Sequence, residues 1–142
     1  MSTTVRVEWL NRLQFVGFDA HKHSVVMSSQ DDENGTGISP GQLMLIALGG
    51  CTAYDVVNIL SKKRQHLTHL EVVVTGESAS EPPWALQRAH LTYRLRGRNL
   101  SEKAVKDAIT LSKTRYCSVG ATIGAGAEIT TEFVIDVIEE EV

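Results

Sequence analysis

The chain has 142 residues, 42% of them hydrophobic and 22% charged, a net charge of −3 and two cysteines. That length suits a single domain spanning residues 1–142 with a sizeable core, and the negative balance offers no basic field for nucleic acid or an anionic membrane. Two thiols are too few for a cysteine-only zinc site. Met1 to Trp9 lacks the basic-then-apolar pattern of a signal peptide, so the expectation is a cytoplasmic protein without a permanent disulfide.

Residues 3–10 alternate, with Val5, Val7 and Trp9 on one side and Arg6 and Glu8 on the other, as in a strand. Asn11-Arg12 reads as a two-residue turn, residues 13–18 as a second strand and 23–28 as a third, giving an antiparallel meander. Residues 30–37 form a polar loop, read as a solvated connector or a border to a site.

The longest apolar segment runs from Ser39 to Arg64. Ser39 is a good N-cap, Pro40 suits the first helical position, and Lys62, Lys63 and Arg64 suit the negative end of the dipole. Its apolar residues lie all round the helix, which predicts a long buried central helix. Asp55 and Asn58 interrupt it, favouring a core helix over a membrane span. Gly49-Gly50 costs helix stability, roughly 1 kcal/mol per glycine. The pair implies a close approach by another element, room beside Cys51, or a kink.

A polar bridge with His66 and His69 leads to a strand over 70–77 and a loop over 78–85 that holds Trp84. Residues 88–96 alternate, with Ala89, Leu91, Tyr93 and Leu95 inward. Ser101 caps a second helix, amphipathic through Ala104, Val105, Ala108, Leu111 and Ser112, ending near Arg115-Tyr116. Cys117 to Ile123 reads as a single turn, 128–138 as the last strand, and Glu139 to Glu141 as a solvated tail. The order β-β-β-α-β-β-α-β is an α+β fold.

Cys51 and Cys117 each have small neighbours, leaving two readings open: a redox pair or two core thiols. Asp55, one turn after Cys51, is a general base or a hydrogen-bonding carboxylate. The pairs His21/His23 and His66/His69 are read as solvated histidines in preference to metal ligands.

The stretch Ser39-Pro-Gly-Gln-Leu-Met-Leu-Ile-Ala-Leu-Gly-Gly-Cys51-Thr-Ala-Tyr-Asp-Val-Val, with Arg-Tyr-Cys117-Ser-Val-Gly-Ala-Thr, resembles the OsmC/Ohr family over nearly the whole chain. The resemblance implies an OsmC-like fold, an intertwined homodimer with both central helices buried, and active sites at the subunit interface. It implies that Cys51 attacks an organic hydroperoxide, that Cys117 resolves the sulfenic acid, and that a dithiol reductant closes the cycle. It implies no metal and no organic cofactor. Two family features are replaced here. Gly41 stands where the family's peroxidases carry a glutamate, and neither Arg6 nor Arg12 has the context of their activating arginine; His21, Lys22 and His23 lie in that region. The expected function is therefore a thiol-dependent peroxidase. The alternative is a non-peroxidatic OsmC-like protein binding a small apolar or electrophilic ligand at the dimer interface.

Overall fold

In the computed structural model, residues 1–137 are described; Ile138 and the tail Glu139 to Glu141 lie outside the described residues. The chain packs as two compact units, residues 1–44 and 45–142. In the first, β1 (Arg6–Asn11), β2 (Gln14–Phe18) and β3 (Ser24–Ser28) form the expected antiparallel meander. Asn11 pairs with Gln14, so the turn residues are Arg12 and Leu13, one position later than the sequence reading. Arg12 takes the left-handed conformation there, with φ 49°. β1 is exposed throughout.

The loop after β3 is held by its own side chains. Asp31 Oδ1 accepts hydrogen bonds from the backbone N–H groups of Glu33 (3.0 Å) and Asn34 (2.9 Å). Buried Asn34 in turn accepts one from Leu13 N–H at 3.3 Å. The loop ends at the helix cap. Gln42 N–H donates to Ser39 Oγ (3.2 Å), and Gln42 Oε1 accepts from Ser39 N–H (3.1 Å). This reciprocal pair satisfies two groups that the helix terminus would otherwise leave unpaired.

In the second unit, β4 (His66–Ser78), β5 (Leu86–Arg98) and β6 (Glu128–Val137) form one sheet with β5 in the middle. β4 and β5 run antiparallel; β5 and β6 run parallel. A parallel return requires a crossover, supplied by α2 (Glu102–Leu111), a π-helical turn (Ser112–Tyr116) and α3 (Ser118–Gly124). β4 begins four residues before the expected start, because His66 and His69 pair with Arg98 and Arg96 across the strand ladder. α3 replaces the expected single turn. The alternation in β5 holds as read: Ala89, Leu91, Tyr93 and Leu95 are buried.

The central helix, α1 (Pro40–Lys62), is continuous through the glycine pair. Its buried residues Leu48, Gly49, Thr52, Val56 and Leu60 form one stripe with a repeat of about four residues. Leu48, Val56 and Leu60 join the core with Leu91, Leu95, Val105 and Ile109. By length and hydropathy alone α1 could cross a membrane, yet this stripe is part of a packed core. Burial within the single chain is one-sided, however, since Ile46, Tyr54 and Val57 are exposed. The two glycines differ accordingly. A Cβ on Gly49 would lie 3.0 Å from a Val74 methyl, whereas one on Gly50 would meet nothing within 4 Å. Close approach of β4 explains the first.

A Cβ on Gly97 would lie 2.2 Å from the His66 carbonyl oxygen, a backbone atom that cannot turn aside. Gly97→Ala should therefore destabilise the protein by about 2 kcal/mol or more. Gly49→Ala should be nearly neutral, its overlap with a movable valine offset by about 1 kcal/mol of helix propensity. Denaturant unfolding of both variants checks this order; equal stabilities would refute it.

Candidate functional site

Cys51 and Asp55 are four residues apart on α1 and so project from one face on successive turns. Cys117 comes from the crossover. The π-helical turn before it widens the helix by one residue, and Cys117 N–H donates to Ser112 C=O at 2.9 Å to close it. Cys117 then leaves the helical conformation and caps α3, its Sγ accepting from Gly120 N–H at 3.2 Å. Only a small residue fits there, because a Cβ on Gly120 would approach that sulfur to 3.1 Å.

These placements bring Cys51, Asp55 and Cys117 together. The two sulfurs and a carboxylate oxygen lie within 4.8 Å of one another. Both thiols are free; Cys117 is buried, while Cys51 and Asp55 are half-buried. Among the described residues, this is the one group of three or more His, Cys, Asp or Glu side chains gathered as a metal ligand set would be. His66 and His69 are exposed on β4, and His21 and His23 are exposed beside β3.

A chain of hydroxyls supports the cluster. Ser112 Oγ–H donates to Asp55 Oδ2 at 2.9 Å. Thr52 Oγ1 lies 2.9 Å from Ser112 Oγ and 2.7 Å from the Tyr93 hydroxyl. Thr52 and Ser112 are buried, so their partners must come from within the protein. Burial raises the Tyr93 pKa, which keeps the phenol protonated. Asp55 thus accepts a hydrogen bond from within the protein.

The electrostatics are those of an acid cluster. Burial, foremost, pushes the Cys117 thiol up to about 11; the hydrogen bond to Cys51 and the charge of Asp55 act in the same direction, and the Gly120 N–H opposes them. The ionisable neighbours acting on Cys117 are both acids. Arg115, the cation nearest in sequence, is exposed, with its guanidinium 5.9 Å from the Tyr116 ring. In the first unit, Arg6 pairs with Glu8 and lies over the Phe18 ring, and Arg12 pairs with Glu33. Gly41 is exposed with space around it, and Gln42 is committed to the helix cap.

A cavity of about 470 Å³ opens beside Cys117. Leu48, Leu91 and Ile129 give it apolar walls, Tyr93 and Thr52 a polar corner, and Lys113 a charge. Cys51 does not line it. Lys113 is tied back, donating to the Ile129 carbonyl at 2.9 Å.

Sequence reasoning located both thiols and Asp55 but missed the roles of Thr52, Tyr93 and Ser112. The available signal was three hydroxyls at apolar positions: one beside Cys51, one in the inward register of β5, and one on the buried face of α2.

Known proteins resemble the chain in sequence and in fold. Residues 29–132 match the OsmC family, described as OsmC-like protein. Protein YhfA of Escherichia coli K12 is 36% identical over 128 residues, covering 90% of this chain and 94% of YhfA. An OsmC-like protein of Mycoplasma pneumoniae superposes with a TM-score of 0.83 at 15% identity, over 95% of this chain and 97% of that one. The organic hydroperoxide resistance protein OhrB of Bacillus subtilis does so with a TM-score of 0.62 at 11% identity, over 94% and 98%. At those identities the likeness is one of fold. The match to the family across most of its length, together with the identity to YhfA, shows that the chain belongs to the OsmC family.

Proposed function

We propose that the protein is a thiol peroxidase that reduces organic hydroperoxides through Cys51 and Cys117. The observation carrying this reading is the pair of free thiols in one cluster, one half-buried and one buried. The thiolate of Cys51 attacks the outer oxygen of the hydroperoxide, the O–O bond breaks, and the alkoxide leaves as an alcohol after taking a proton. Cys51 is then a sulfenic acid. Cys117 displaces water from it to form a disulfide, which an external dithiol reduces. Cys117 suits the resolving role by position, since it lies buried beside Cys51 and is shielded from the peroxide that the half-buried thiol meets first. Sulfurs this close need little movement to bond.

The working form in this reading is a homodimer in the cytoplasm. Within the second unit, the exposed apolar residues Ile46, Tyr54 and Val57 on α1 are the surface a second copy would cover. A second reading, capture of a small apolar or electrophilic ligand without turnover, is favoured by the cavity, which adjoins Cys117 and leaves out Cys51.

Titration of the reduced protein with cumene hydroperoxide, with thiols followed by mass spectrometry, should remove two thiols per chain and yield an intramolecular disulfide. Cys51→Ser should abolish the reaction. Thiols that survive for minutes favour the binding reading. Peptide-resolved alkylation across pH should show the Cys117 rate still rising above pH 9 and levelling near pH 11; a plateau near 9 contradicts its burial. The sign for stability follows. The folded chain keeps this proton up to about 11, whereas an exposed thiol loses it near 9, so stability falls as pH rises between them. Cys117→Ala should remove that part of the pH dependence. For the assembly, sedimentation should give a dimer that Val57→Lys weakens; a monomeric wild type would refute it.

A further inference from the structure

From the cluster on α1 and the crossover, we propose that the reduced protein binds a thiophilic divalent metal ion, zinc(II), through Cys51 Sγ, Cys117 Sγ and the Asp55 carboxylate. The three ligand atoms already lie within 4.8 Å of one another, so a shared ion requires small rotations and no rearrangement of the chain. Two thiolates and one carboxylate suit zinc, which takes sulfur and oxygen ligands in a tetrahedron. Three protein ligands leave its fourth position for water.

The surroundings supply what such a site needs. The carboxylate is oriented from behind by the Ser112 hydroxyl on Oδ2, which leaves Oδ1 to face the ion. Ser112 is itself fixed by Thr52, and Thr52 by Tyr93. Cys117 is placed by the backbone bond to Ser112 and the Gly120 N–H on its sulfur. Half-buried Cys51 and Asp55 give a path for the ion on one side, and the cavity beside Cys117 gives one on the other.

A divalent ion offsets the charges that two thiolates and a carboxylate would otherwise bring together in one partly dry place, and the bound set sums to −1. Binding releases the thiol protons to solvent; no electron moves and no co-reactant is consumed. Each sulfur binds the metal as an anionic thiolate, and oxidation to a disulfide removes that charge, so metal and disulfide exclude one another. The inference does not depend on peroxidase activity, since it requires only that both thiols be reduced.

The test uses the full chain, reduced and freed of metal with a chelator. Zinc alone is titrated in competition with a chromophoric chelator, and cobalt(II) serves as a spectroscopic probe. The expected result is one ion per chain, a thiolate-to-cobalt charge-transfer band, and protection of both thiols from alkylation. Cys51→Ser and Cys117→Ser should each weaken binding by about 100-fold or more, and Asp55→Asn by about tenfold, and the oxidised protein should not bind. The protection assay on wild type keeps the test valid should a variant fail to fold. Zinc that leaves both thiols fully alkylatable, or binds Asp55→Asn as tightly as wild type, overturns the proposal. Peroxide turnover is measured separately with chelator present, so its failure leaves this result standing.

Discussion

The fold of the larger unit turns on one buried chain of hydroxyls, Tyr93 to Thr52 to Ser112 to Asp55. It links the middle strand, the central helix and the end of α2, which share no sequence neighbourhood. Tyr93, Thr52 and Ser112 are buried, so loss of one costs about 1–3 kcal/mol for each neighbour left unpaired. Around it the packing is ordinary: leucines and valines of α1, α2 and β5 fill the core. Apolar packing accepts many arrangements of similar volume, whereas the hydroxyl chain accepts one. That geometry holds Asp55 against the two sulfurs.

The same linkage explains why the site is acidic. Asp55 is anchored by a neutral donor, Ser112, and the cation nearest Cys117 in sequence is exposed. Burial, first, and then the neighbouring Cys51 and Asp55 raise the Cys117 thiol, so that it keeps its proton. The site therefore divides its thiols by exposure: one reachable, the other held in reserve. At the helix start Gly41 is exposed and Gln42 spends its side chain on capping, so neither adds a charge there.

Much of this was legible in the chain. The alternation of Arg88 to Arg96 fixed which side of β5 is buried, and Ser39-Pro40 marked the start of α1. Those signals are local, set by side-chain direction and by the unpaired groups of a helix end. What escaped depended on contacts distant in sequence. The polar run from His66 became strand because β5 supplied partners for its backbone groups. The all-round apolar surface of α1 predicted burial on every side, but among the described residues burial follows one stripe from Leu48 to Leu60, while Ile46, Tyr54 and Val57 are exposed. The hydroxyl chain was hidden because serine and threonine at apolar positions look like noise until their partners are known.

The parallel seating of β6 against β5 has a consequence for how the molecule is made. Cys51 leaves the ribosome 66 residues before Cys117, and the crossover holding Cys117 leads into the last strand, paired from Glu128 to Val137. Closing a loop of that size costs entropy before any contact repays it. The two sulfurs therefore cannot meet until the crossover has been made. During synthesis Cys51 waits without its partner, a period in which the nascent chain relies on the reducing power of its surroundings.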